Sequence, residues 1–204
     1  FGELMTSGKQ ALNSIQAQTG MTAEEMAAMK DQMYDLYSQN YGDSLGDVAN
    51  VLADVKENIN ETNPDKIKDI AQNAIAIRDT FGTDVSETLR GVNALMTSMG
   101  LSAEQAFDYI AKGSQNGLNK TEELSDNLAE YVQLWSQAGF SAEEMFSVLQ
   151  NGLDSGAYNL DKVNDLVKEI SVSIVDGRLE SSLDSFSSKT EQVFQAFKNG
   201  EATQ

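Results

Sequence analysis

The sequence predicts an all-α fold: repeated antiparallel helical hairpins with a unit of about 39 residues, packed as an irregular bundle or a short α-solenoid. Three observations carry this. Apolar residues recur at spacings of three and four almost throughout, which places one apolar stripe per helix toward a core. A single proline, Pro64, interrupts the chain. A short phrase, glycine, large apolar residue, Ser or Thr, Ala, Glu, occurs three times: "TGMTAEEM" (19–26), "SMGLSAEQAF" (98–107) and "QAGFSAEEMF" (137–146).

The first two helices are expected over 2–18 and 22–39, divided by the first phrase. Gly20 suits the left-handed residue that ends one helix and Thr22 the N-cap of the next, with Glu25 placed to reach back to the cap N–H as a capping box. Met26, Met29 and Met33 then form one stripe, read as core. Leu45, Val48, Leu52, Val55 and Ile59 mark the third helix, 44–60. Pro64 falls at the first position of the fourth, 64–80, where its missing N–H costs least; Ile67, Ile70, Ala74, Ile77 and Phe81 are its stripe. Val85, Leu89, Val92, Leu95, Met96 and Met99 mark the fifth, 84–99.

Gly100, Ser102 and Gln105 repeat the corner and open the sixth helix, 102–114. The seventh, 119–137, carries Leu124, Leu128, Tyr131 and Trp135, the last two read as core. Gly139, Ser141 and Glu144 form the third corner, with Phe140 and Met145 flanking it as a hydrophobic staple, and open 141–153. Helices over 159–172 and 183–199 complete the set. "SVSIVDGRLESS" (171–182) alternates as a short strand would, with Asp176-Gly177 as its turn, but is read as a loop. Residues 95–131 align with 134–170, pairing Gly100 with Gly139, Ser102 with Ser141, Phe107 with Phe146, Gly113 with Gly152 and Glu130 with Glu169. The expected organisation is a three-helix segment (1–62), a repeat-containing core (63–176) and a C-terminal linker and helix (177–204).

Composition narrows the chemistry. The 204 residues include no cysteine and no histidine, so disulfides, thiolate zinc sites and imidazole catalysis are excluded. With 32 acidic against 14 basic residues, the formal net charge is -18. Such a surface repels phosphate backbones and anionic headgroups, so neither nucleic-acid binding by a basic face nor membrane contact is expected. No apolar run reaches the length of a membrane span. The start, "FGELMTSGKQ", has no signal-peptide pattern and no initiator Met, and the chain is expected to be a piece of a longer intracellular protein.

The candidate functional residues are acids. Glu122, Asp126 and Glu130 stand at i, i+4 and i+8, and Asp161, Asp165 and Glu169 do the same in the aligned unit, a spacing that puts three carboxylates on one helix face. Either a solvated face, with Lys120, Lys162 and Lys168 nearby, or a docking surface for a basic partner uses that spacing. The glycine pairs Gly113/Gly117 and Gly152/Gly156 match no phosphate-binding loop, and "DSGAYNLDKVND" lacks the oxygen ligands of a calcium loop. Serines at 102 and 141 are already used as caps. No enzyme activity, cofactor or metal is expected.

"FGTDVSETLRGVNALMTSMGLSAEQAFDYIAKGSQNGLN" (81–119) and "YVQLWSQAGFSAEEMFSVLQNGLDSGAYNLDKVNDLVKEI" (131–170) resemble the core region of phage tail tape measure proteins, with weaker likeness back to residue 19. The resemblance implies a virion structural protein of a long-tailed phage or prophage. It further implies a largely helical chain in the tail tube whose length sets tail length, present in several copies, made in the host cytoplasm and then enclosed in the virion tail. Implied partners are other copies, the tube protein, tail-assembly chaperones and distal tail proteins; no catalytic residue is carried over. A ruler should be extended, whereas this chain breaks every 15 to 20 residues at a capped corner, so a compact module of such a protein is expected. The alternative is an intracellular helical-repeat adaptor that binds a protein or peptide through an acidic face.

Overall fold

The structure, a computed structural model, describes residues 2–178 together with Gln192 and Ala196. Among the described residues the regular structure is entirely α-helical: α1 (Gly2–Thr19), α2 (Ala23–Ser38), α3 (Leu45–Asn58), α4 (Pro64–Phe81), α5 (Val85–Met99), α6 (Ala103–Gln115), α7 (Leu124–Gln137), α8 (Ala142–Asp154) and α9 (Leu160–Val175). The helix expected over 183–199 lies outside the described residues.

Each odd-numbered helix packs on the next odd-numbered one, from α1 to α9, and each even-numbered helix on the next even-numbered one, from α2 to α8. Rungs such as α2 on α3, α5 on α6 and α8 on α9 join the two rows. The apolar stripes meet between the rows and form one buried cluster running from Ile15 to Val167. Met33, Leu36, Val48, Leu52, Val55, Leu89, Leu95 and Trp135 are fully buried in it. Full burial of one such side chain contributes about 1.5–3 kcal/mol, so the stripes are the main source of stability.

Helix α5 packs closely against α7. A Cβ on Gly91 would lie 3.0 Å from the backbone oxygen of Ser125 and 3.4 Å from the Leu128 side chain. Hydrogen bonds then fix the relative placement of the helices. Ser136 on α7 donates to the carbonyl of Ser98 on α5 at 2.6 Å, Arg78 on α4 to the Asp47 carboxylate on α3 at 2.8 Å, and Gln72 to the Tyr41 hydroxyl at 2.8 Å. Gln32 on α2 donates to the carbonyl of Pro64.

Two boundaries differ from expectation. Helix α7 begins at Leu124 rather than near 119, because the Asn119 side-chain oxygen accepts the Leu124 N–H at 3.2 Å and Glu122 adopts φ 60. The chain therefore turns through 116–122 and only then becomes helical. Helix α9 continues to Val175, so 171–175 is neither loop nor strand. Ser171 returns its hydroxyl to the Val167 carbonyl at 2.8 Å, and the Arg178 guanidinium lies beyond the helix end, 2.6 Å from both Glu169 and Asp176. A cation there opposes the negative end of the helix, which the alternating pattern alone does not reveal.

Candidate functional site

The recurring corner phrases become three capping boxes. At the first, Gly20 has φ 65, the Glu25 carboxylate accepts the Thr22 N–H at 2.9 Å, and the Thr22 hydroxyl accepts the Glu25 N–H at 3.2 Å. At the second, Gly100 has φ 70 and Ser102 and Gln105 exchange the same two bonds at 2.9 and 3.2 Å. At the third, Gly139 has φ 88 and Ser141 and Glu144 do so at 2.8 and 3.2 Å. Backbone positions with positive φ suit glycine, since a Cβ there approaches the following carbonyl.

The corners are not all closed alike. Gly20 and Gly100 each donate one bond to the carbonyl four residues back. After α7, Gly139 donates to Ser136 and Phe140 to Trp135, the paired bonds of a Schellman ending. Phe140 then lies edge-on to the Trp135 ring, with centroids 4.9 Å apart. The side chains Thr22, Ser102 and Ser141 are thus bound to backbone, and Glu25 and Glu144 with them. Their carboxyls respond accordingly: the backbone N–H of Thr22, with Lys56 adding to it, lowers Glu25 to about 2, and the Ser141 N–H lowers Glu144 below the usual range.

Of the two acidic ladders, Asp161, Asp165 and Glu169 all lie on α9, whereas the first is broken at its start. Glu122 sits in the turn before α7, off the helix. Asp126 lies 3.8 Å from Arg90 on α5, Asp165 lies 3.7 Å from Lys162, and Glu169 pairs with Arg178. What the fold does bring together is Glu130 of α7 with Asp161 and Asp165 of α9, around Tyr131. Burial first, and then Glu130 with the two aspartates, pushes the Tyr131 hydroxyl up to about 12.

Beneath this acidic patch runs a polar chain that the sequence does not announce. Trp135 Nε1 donates to Asn164 Oδ1 at 2.8 Å, Asn164 Nδ2 to Asn127 Oδ1 at 2.6 Å, and Asn127 Nδ2 to the Glu123 carbonyl at 3.1 Å. All three side chains are buried. Buried polar groups cost free energy unless paired, so this chain locks α9 onto α7 in one register.

Among the described residues no group of three or more Asp or Glu side chains is placed to hold a metal ion. None of the described helices is long and apolar enough to cross a membrane. The corners and the polar register lock are internal devices that hold successive helices in place.

Residues 37–200 match the family described as phage-related minor tail protein. A 61-residue stretch is 34% identical to the probable tape measure protein of Streptomyces phage phiC31; it spans 29% of this chain and 8% of that protein. No solved structure matches the chain.

Proposed function

The chain belongs to the phage-related minor tail protein family, and on that premise we propose that it is a folded structural module of a tape measure protein, acting in tail assembly and tail-length determination through protein-protein contacts and without catalysis. The observation that carries this reading is the coincidence of the family match over residues 37–200 with a capped, two-row helical stack that holds no nucleophile free of a structural task at its corners. The partners under this reading are other copies of the chain, the tail tube, tail-assembly chaperones and distal tail proteins. It would assemble in the host cytoplasm and end inside the virion tail.

The length of a compact stack is much less than its contour length, since a helix rises about 1.5 Å per residue and here successive helices fold back on one another. Deleting residues 83–178 in frame from the parent protein, after Gly82 closes α4, tests the reading by electron microscopy of tails. Tails shortened by clearly less than about 145 Å, the helical rise of the removed stretch, are expected, or no tails despite a stable mutant protein. Shortening by the full amount would make the segment extended ruler and overturn the compact module. Normal tails of unchanged length would remove it from both assembly and length control.

A further inference from the structure

Between α4 and α6 the even-numbered row opens into a surface groove of about 630 Å³. Its apolar floor is small: Ile70 and Phe107 lie almost fully buried beneath it and Met96 and Ala103 are half-buried along it, while the polar Gln72, Asn73 and Ser102 share the lining. Its rim is acidic, with Glu61, Asp69, Glu104 and Asp108 against the one cation Lys66. Lys66 is 3.6 Å from Glu61, whose carboxylate also accepts the backbone N–H groups of Thr62 and Asn63, so that corner of the rim is internally neutralised. Among the described residues Asp69, Glu104 and Asp108 form no ion pair.

Local structure explains Glu104, which stands in the first turn of α6 and complements the positive end of that helix. Asp69 and Asp108 lie past the first turns of α4 and α6 and receive no such compensation. Asp108 adjoins Phe107 in sequence and follows Glu104 by four residues, so the two acids of α6 flank the apolar floor from one side while Asp69, next to Ile70, flanks it from the other. Like charges across a concave apolar surface repel one another, and a cationic occupant removes that repulsion while covering the floor.

We propose that this groove is a docking site for a basic amphipathic helix of a partner protein, its apolar side on Ile70, Met96, Ala103 and Phe107 and its Lys or Arg residues against Asp69, Glu104 and Asp108. Helix-in-groove recognition uses this combination of an apolar floor and complementary rim. The occupant is a helix rather than nucleic acid, because a phosphate backbone would meet the same carboxylates. The proposal goes beyond the tail-module reading and does not depend on it: the groove stands on its own geometry, and its test involves no tails.

The test uses the whole 204-residue chain and a synthetic helical peptide of about 18 residues, Leu on one face and Lys on the other, titrated by calorimetry at about 0.15 M ionic strength. A Leu/Glu peptide of the same apolar pattern is the control ligand. Because a chain of net charge -18 attracts any polycation, the groove variant Asp69→Asn/Glu104→Gln/Asp108→Asn is compared with the charge-matched variant Asp126→Asn/Glu130→Gln/Asp165→Asn. Binding of the Leu/Lys peptide alone, weakened about tenfold in the groove variant and under about twofold in the matched one, is expected. Ala103→Gln, which fills the floor without touching a charge, is expected to weaken binding as well. Equal weakening in both triple variants, wild-type affinity in the groove variant, or no binding by the wild-type chain overturns the proposal.

Discussion

The indole N–H of Trp135 donates to the side-chain oxygen of Asn164, 2.8 Å away, in a part of the core where neither residue meets solvent. This bond crosses from α7 to α9 and is continued by Asn127, so the last helix of the stack is positioned by polar geometry as much as by apolar contact. Replacing Asn164 by Leu leaves the indole N–H and the Asn127 amide without their partners. We expect a loss of about 2–4 kcal/mol in urea unfolding. Trp135 is the chain's single tryptophan and is fully buried, so a red shift of its fluorescence on exposure is expected to report loss of α9 docking.

Two glycines test two different constraints. At Gly91 a Cβ would press on the backbone of α7, and Gly91→Ala should cost about 1–3 kcal/mol by overpacking. At Gly139 nothing lies within 4 Å of a Cβ and only φ 88 is at issue, so Gly139→Ala should cost about 1–2 kcal/mol. Gly139→Asn should recover part of that, because Asn40 already adopts φ 66 between α2 and α3. Thermal unfolding of the three variants distinguishes the cases.

The first corner should respond to acid. Glu25 is held at about 2 against an ordinary value of 4.5. Its folded-state value is depressed, so its stabilising effect is complete above 4.5 and is lost as pH falls toward 2. Gln at the same capping position serves α6, where Gln105 makes the equivalent bond. Glu25→Gln should therefore keep the α2 cap while flattening the pH dependence of unfolding between those limits. A wild-type slope in that variant would assign the acid sensitivity to other carboxylates.

Tyr131 reports whether the two acidic ladders converge. Its hydroxyl is raised to about 12 mainly by burial, with Glu130, Asp161 and Asp165 adding to the effect. The neutral form is favoured in the folded state, so this contribution to stability is whole below 10 and declines as pH rises through 12. Neutralising Asp161 and Asp165 should lower the Tyr131 midpoint without returning it to 10, followed by NMR of ring-labelled tyrosine. Replacing Asp165 alone should alter stability by less than about 0.5 kcal/mol, since it is exposed.

The legible parts of this fold are those encoded within a few residues. Each capping box spans four positions, Thr22 to Glu25, Ser102 to Gln105 and Ser141 to Glu144, and the apolar stripes follow the helical period, so both appear in sequence order. The start of α7 was not legible, because it depends on Asn119 reaching Leu124 across a turn whose left-handed residue is Glu122 and not a glycine. Nor was the end of α9, where a β-branched run suggested alternation while Arg178 opposes the helix terminus. The spacing of Glu122, Asp126 and Glu130 promised a common face that the turn abolishes. Conversely, Asp69 and Asp108 share a groove only because α4 and α6 are neighbours, a fact that no local spacing contains.

The pattern of packing bears on how the protein yields to a pull. Among the described residues, substantial contacts join each helix to helices no more than two places away along the chain, and none ties α1 or α2 to α8 or α9. Tension applied at one end therefore loads one helix and its immediate neighbours at a time, instead of the whole core at once. The stack should peel apart in steps at low force, helix after helix, and regain its shape in the reverse order when the tension is released.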